Sequence, residues 1–219
     1  EVVAVIDSSG QARNQLGISV VEPAQQLFSG KAGQAYHFRT IAALISETYH
    51  PEPLLQARRM AGWAHMLGFD QLRERNRLAW AELWKSRIKV FGDTDAQKAL
   101  DAAFYYIHSS AHASCITGIP PFGLSRLKAY FGHVFWDMDH WIFQAVLPTD
   151  PAAARAMVDF RFGGLENAKK IARIFGFKGA QYPWEAGTDG REVTPTEAHT
   201  GWAEHHVTLC VALAAWESA

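Results

Sequence analysis

Hydrophobic and polar positions along this chain change period once, near residue 50. Before that point the pattern is β-like. Val2 to Ile6 reads as a strand already under way, and Leu16 to Val21 is a second β-branched run. The turn Ser29-Gly30-Lys31-Ala32-Gly33 leads to a third stretch, Tyr36 to Tyr49, carrying Phe38, Thr40, Ile41, Ile45 and Thr48. Three strands with no evident second layer cannot close a core by themselves. They read as the last strands of a sandwich.

From Pro51 onward the period becomes helical. Leu54 to Leu67 is one expected helix, ended by Gly68, and Asp70 is expected to cap a second through Leu72, Asn76, Trp80, Leu83 and Trp84. After a short Ile88-Lys89-Val90 run, Asp93 or Thr94 is expected to cap a helix with Leu100, Phe104, Ile107 and Ala111 on one face. Ser114 to Phe131 is a long connection with Gly118, Pro120, Pro121 and Gly123, too apolar for a disordered segment. A helix is expected near Met138 to Leu147. Asp150-Pro151, a cap residue followed by proline, then starts helical pattern that runs to Phe175 with a break near Gly163-Gly164. Gly176 ends it, and a second long connection, Phe177 to about Thr196, precedes the last helix. Helices alternating with long aromatic, carboxylate-bearing loops suit stacked helical hairpins that present residues at one mouth.

Composition narrows the function classes. Hydrophobic residues are 48% and charged residues 20% of the chain, a globular balance, and the net charge is −1 with the signs interspersed. No basic stripe suited to a phosphate backbone is present, so nucleic acid is not an expected partner. The longest apolar run, Val207 to Trp216, is too short for a membrane span, and the N-terminus lacks a signal-peptide layout. Cys115 and Cys210 lie far apart in apolar company, as reduced core residues of a cytoplasmic protein would. The chain opens inside a strand without Met and closes inside a helical pattern with no stop signal, which reads as a fragment of a longer protein.

The densest chemistry is Gly132-His133-Val134-Phe135-Trp136-Asp137-Met138-Asp139-His140-Trp141, with two tryptophans, two histidines and two aspartates in ten residues. His133, Asp137, Asp139 and His140, with Glu204-His205-His206, could suggest a metal, but the spacing matches no zinc template. Adjacent histidines on a helix also diverge by about 100°, so no metal and no cofactor is expected. Ser109-Ser110 beside His108 and His112 lies in helical pattern without a nucleophile elbow, Cys115 has no partner base, and no glycine-rich phosphate cradle occurs. What remains favours a sugar. Trp136-Asp137 and Trp184-Glu185 place an indole beside a carboxylate on two separate connections. The ring offers a flat wall to a C–H face, and the carboxylate accepts hydrogen bonds from vicinal hydroxyls.

Several motifs in combination resemble glycoside hydrolase family 65. They are Gly118-Ile119-Pro120-Pro121-Phe122-Gly123-Leu124-Ser125, then Gly132 to Asp139, Lys178-Gly179-Ala180-Gln181-Tyr182-Pro183-Trp184-Glu185, and Gly190-Arg191-Glu192-Val193-Thr194-Pro195. Upstream, Trp80-Ala81-Glu82-Leu83-Trp84 and Gly92-Asp93 leading to Gln97 are similar to the family's linker helix and first barrel helix. The resemblance implies a mainly α fold: residues 1–50 as the end of an N-terminal β-sandwich, 51–90 as a helical linker, and 91–219 as the first part of an (α/α)6 catalytic barrel. It implies α-glucosides cleaved with inversion, by hydrolysis or phosphorolysis. Trp136 and Asp137 match the family's grip on the non-reducing glucose, and Trp184 and Glu185 match the second loop at that mouth. Lys178 and His133 match more loosely, as residues behind the grip.

One departure stands out. The family's general acid lies in a Gly-Pro-(Asp/Asn)-Glu motif, which this sequence does not contain. That acid, the hydrolases' base and the phosphorylases' phosphate loop are all expected beyond Ala219, and only proximity would suggest Glu185 or Glu192 as substitutes. An incomplete barrel would leave helix faces unburied, so an isolated chain is expected to be poorly soluble or partner-dependent. Ile119-Pro120-Pro121, Trp136-Asp137-Met138-Asp139 and Glu192-Val193-Thr194-Pro195 look more like the acid trehalase, kojibiose hydrolase and hydroxylysine-glucosidase branch than the phosphorylases. The implied partner is a small carbohydrate, an α-glucoside, and a homo-oligomer of the full-length protein is compatible with the resemblance. A truncated, non-catalytic carbohydrate-binding remnant is the alternative from another class.

Overall fold

The computed structural model describes residues 2–6, 12–21, 29–126 and 129–219, so residues 127–128 of the first long connection lie outside the described residues. The chain divides into two compact units, Glu1–Glu82 and Leu83–Ala219.

The first unit holds an antiparallel sheet of order β1-β2-β3, formed by β1 (Val2–Ile6), β2 (Ala12–Val21) and β3 (Ile41–Ser46). β2 is central, pairing Gly17 with Val2 on one side and with Ile45 on the other. β2 begins earlier than its β-branched run because pairing with β1 carries the strand through polar residues. β3 is shorter than the expected Tyr36–Tyr49 stretch, since the register with β2 ends at Val21 and Ile41. The second layer that the strands lacked in sequence is a helix, α1 (Pro53–Leu67), laid over β2 and β3. Its close approach depends on Gly17, where a Cβ would stand 2.2 Å from the Pro53 carbonyl carbon.

Gly68, at φ 82°, ends α1, and α2 (Phe69–Leu83) restarts immediately. Asp70 therefore falls inside the first turn and is not the N-cap. Its carboxylate instead lies 3.5 Å from Arg73 and 3.9 Å from Arg39.

The second unit is helical. α3 (Thr94–His108) is capped by Asp93, whose carboxylate accepts the Asp95 and Ala96 N–H groups. Gln97 of α3 clamps the Ile88–Val90 run, accepting from the Val90 N–H at 2.7 Å and donating to the Ile88 carbonyl at 3.2 Å. The expected helix after Trp136 is a widened π-turn, Met138–Ile142, continuing into α4 (Phe143–Val146). α5 (Pro151–Gly163) is capped by Asp150 with proline in its first turn, and α6 (Leu165–Ile174) follows a break at Gly164. α7 (His206–Glu217) closes the unit.

Ala111, Ile119, Val134, Met138, Phe143, Val146, Met157, Phe160, Ala186 and Ala214 form its buried core. Both long connections contribute to it, through Ile119 and Ala186. α7 buries Val207, Val211 and Ala214 while Leu209, Leu213 and Trp216 remain exposed. The cysteines are free. No helix of the described residues is long and apolar enough to cross a membrane.

Gly17 gives a direct test of the strand–helix contact. Gly17→Ala forces α1 away from the sheet and is expected to cost about 1–3 kcal/mol. Gly62→Ala in α1, where an added methyl meets open space, is expected instead to gain up to about 1 kcal/mol. Urea denaturation followed by circular dichroism separates the two, and equal effects would remove the contact argument.

Candidate functional site

The segment just after the first long connection meets the second connection in an antiparallel bridge. Val134 and Ala186 exchange both backbone hydrogen bonds at 2.8 Å, and Ala186 also bridges Glu192. Hydrophobicity drives this meeting, because Val134 and Ala186 are both essentially inaccessible. The bridge carries the flanking polar residues together. His133 Nδ1 donates to Glu185 Oε2 at 2.7 Å, with the Glu185 side chain 7% and the His133 side chain 24% exposed.

Behind Glu185, Thr194 Oγ1 accepts the Glu185 N–H at 3.1 Å, and Glu192 Oε1 accepts both the Thr194 N–H at 2.8 Å and its hydroxyl. Burial pushes the Glu192 carboxyl above the ordinary carboxylate range; the Thr194 hydrogen bonds pull the other way, and the nearby Glu185 charge adds to the rise. Sequence reasoning did not anticipate this chain of His133, Glu185, Thr194 and Glu192.

Asp139 is turned inward. It is 3% exposed and forms a forked pair with Arg161, Nε to Oδ1 at 3.0 Å and Nη2 to Oδ2 at 2.6 Å. The same guanidinium donates to the Phe135 carbonyl at 2.9 Å, and the Tyr182 hydroxyl donates to the Arg161 carbonyl at 3.1 Å. Burial raises the Asp139 carboxyl, opposed chiefly by the Arg161 charge and its hydrogen bonds. Arg161 thus pins the turn on which Trp136 and Asp137 stand. A signal for it existed: Ala153, Met157 and Arg161 recur every four residues on the buried stripe of α5.

Asp137 is partly buried at the mouth of the π-turn and caps no helix N–H. Trp136 beside it neighbours the His140 ring at 5.6 Å, Trp141 at 6.0 Å and, edge to face, His206 at 4.9 Å. Trp184 packs edge-on to Phe135 at 5.4 Å. Lys178 stands elsewhere. It is exposed, and with Phe177, Gln181, His205 and Thr208 it lines a shallow cavity of about 490 Å³. The structure therefore brings His133 to Glu185 and joins their two loops, but brings Lys178 to neither carboxylate among the described contacts.

The candidate metal donors disperse. Asp139 is spent on Arg161 and His133 on Glu185, and no three His, Cys, Asp or Glu side chains converge among the described residues. The serines beside His108 are local: Ser109 Oγ donates to the Tyr106 carbonyl at 2.9 Å, and Ser110 Oγ accepts the Leu124 N–H at 3.1 Å.

Comparison with known proteins supplies the family. The model of the glycosyl hydrolase family 65 central catalytic domain matches residues 102–218. The chain belongs to family 65. It is 40% identical over 185 residues to a kojibiose hydrolase of Mucilaginibacter mallensis, and 41% identical over 187 residues to one of Flavobacterium johnsoniae. These alignments cover 84% and 85% of this chain and 27% of each relative, so the chain spans about a quarter of their length. A kojibiose phosphorylase of Thermoanaerobacter brockii is 34% identical over 162 residues, 68% of this chain and 21% of that one. In fold, this family 65 chain is similar to a solved structure provisionally assigned as a kojibiose phosphorylase from the human microbiome. The TM-score is 0.73 at 22% identity, covering 94% of this chain and 30% of the other.

The buried pair predicts a strong asymmetry. Asp139→Asn or Arg161→Met leaves a lone partner without its counter-ion and is expected to cost about 3–5 kcal/mol, while the double Asp139→Leu, Arg161→Met change recovers most of the loss. Equilibrium denaturation measures both. A single-variant loss below about 1 kcal/mol would place the pair in solvent-like surroundings.

Proposed function

We propose that this chain carries the glucose-gripping part of an inverting α-glucoside hydrolase, with a kojibiose- or trehalose-like disaccharide or a glucosyl conjugate as substrate. The observation that carries this reading is the Val134–Ala186 bridge, which joins the Trp136-Asp137 loop to the Trp184-Glu185 loop. In this reading the Trp136 indole is the wall for the C–H face of the non-reducing glucose. Asp137, free of any capping role, accepts its hydroxyl protons. Glu185, held by His133 and Thr194, presents a fixed carboxylate beside it. Trp184 lines the same mouth, and His133 stands behind the grip, while Lys178, which lines a separate cavity, has no role in this reading.

Inverting cleavage needs a protonated acid at the glycosidic oxygen and a base activating water on the opposite face. The family resemblance assigns the acid to a Gly-Pro-(Asp/Asn)-Glu motif absent from residues 1–219. The residues in hand accordingly bind and orient the glucosyl unit, and proton transfer falls to other segments of the whole protein. The domain reading follows: residues 1–50 end a β-sandwich, 51–90 form the linker, and 91–219 begin an (α/α)6 barrel. The similarity to the two kojibiose hydrolases supports hydrolysis. The phosphorylase relative supports a second reading, phosphorolysis of the same bond class.

Both readings meet in one experiment on the whole protein. With kojibiose or trehalose in phosphate-free buffer, a hydrolase is expected to release β-glucose; a phosphorylase releases β-glucose 1-phosphate only when phosphate is added. Proton NMR of the nascent anomer distinguishes them, and no turnover under either condition would leave the non-catalytic remnant. Asp137→Asn is expected to lower kcat/KM by the worth of one charge-assisted hydrogen bond, about 1.5–3 kcal/mol. Wild-type kinetics in that variant would sink the assignment of Asp137.

A further inference from the structure

The Glu204-His205-His206 run plays no part in the reading above, yet its side chains are arranged with purpose. The two histidines diverge, as neighbouring helical positions do. The His205 ring lies edge-on to Phe177 at 5.8 Å. The His206 ring lies edge to face against Trp136 at 4.9 Å, with an interplanar angle of 88°. Glu204 Oε2 sits 3.0 Å from His206 Nδ1, which fixes the rotation of the ring and makes Nδ1 the donor. His206 Nε2 is buried and has no hydrogen-bond partner among the described residues. The His206 side chain as a whole is 41% exposed, so it is Nε2, on the side away from Glu204, that is enclosed by protein.

The same segment reaches the second indole. A Cβ on Gly201 would lie 2.3 Å from Trp184 Cε3 and 2.8 Å from Thr194 Cγ2, so the backbone there is pressed against the ring. The other ring neighbours of Trp136, namely His140 and Trp141, lie on the turn that Trp136 itself begins and move with it. His206 is the neighbour that belongs to a different element, the first residue of α7.

We propose that Gly201–His206 is a positioning segment for both tryptophans, in which His206, locked by Glu204, sets the ring orientation of Trp136. The proposal rests on the reading of Trp136 as the sugar wall. A wall that stacks on a pyranose must present one face at one angle, and an indole free to turn about its side-chain bonds would present several. The segment supplies that restraint from outside the loops that carry the indoles.

The test uses the whole protein labelled with fluorotryptophan. Loss of one fluorine resonance in Trp136→Phe identifies that ring. In His206→Ala this resonance is expected to move or broaden. KM for the α-glucoside is expected to rise up to about tenfold, the worth of an aromatic contact, with kcat changed far less. His206→Phe, which keeps an edge-on ring, is expected to restore most of KM, a rescue that a general loss of folding would not allow. An unmoved Trp136 resonance in His206→Ala overturns the proposal. So does a moved resonance with unchanged KM where Trp136→Ala raises KM. Unchanged KM in Trp136→Ala overturns the sugar-wall reading first, and the proposal falls with it; the control variant tells the two failures apart.

Discussion

The buried ion pair between Asp139 and Arg161 is the constraint around which the helical unit is arranged. Two opposite charges with a few per cent exposure demand complete hydrogen bonding. That demand is met by the second Asp139 oxygen, the Phe135 carbonyl and the forked guanidinium geometry. Each contact removes a freedom. The Phe135 carbonyl is tied to α5, so the residues that follow it must leave at a set angle, and those residues are Trp136 and Asp137. Tyr182, hydrogen-bonded to the Arg161 carbonyl, ties the second connection to the same helix. Through Arg161, α5 is tied to both loops, at the Phe135 carbonyl and at the Tyr182 hydroxyl.

Hydrophobic burial and polar satisfaction share the work between those loops. Val134 and Ala186 supply the apolar meeting point, and backbone hydrogen bonding at one bridge converts it into a register. Everything polar nearby then follows from that register. His133 meets the Glu185 carboxylate because their neighbours are paired, and the Glu185 backbone N–H is held by Thr194, which is itself bonded to Glu192. The bond from His133 restricts the rotation of the largely buried Glu185 carboxylate.

Local chemistry was legible in the sequence, and long-range pairing was not. Asp93 and Asp150 cap their helices because an N-cap needs only the next three residues. Gly68 and the break at Gly164 were equally readable. Asp70 was not, because α2 restarts directly after Gly68 and no residue is left over to serve as a cap. The strands were visible, but their ends depended on partners, so β2 came out longer and β3 shorter than their own residues suggested. Within the site, the aromatic–acid pairs drew attention by composition. The His133–Glu185 contact spans 52 residues and the Asp139–Arg161 contact 22, and neither separation leaves a local trace. Arg161 alone had a hint, its place on the apolar stripe of α5. Lys178 shows the reverse, a motif neighbour that lines a separate cavity and makes no described contact with either carboxylate.

The widened turn at Met138–Ile142 separates two kinds of phase. The Phe143 N–H reaches back five residues to the Met138 carbonyl, one more than an α-helix allows. Before the turn, backbone direction answers to Trp136 and Asp137; after it, to Phe143 and Val146, which are fully buried. The extra residue acts as a phase shifter, letting the outer face be aimed without turning the inner one. The helix thereby serves two masters, and either surface can change its residues without forcing the other out of step.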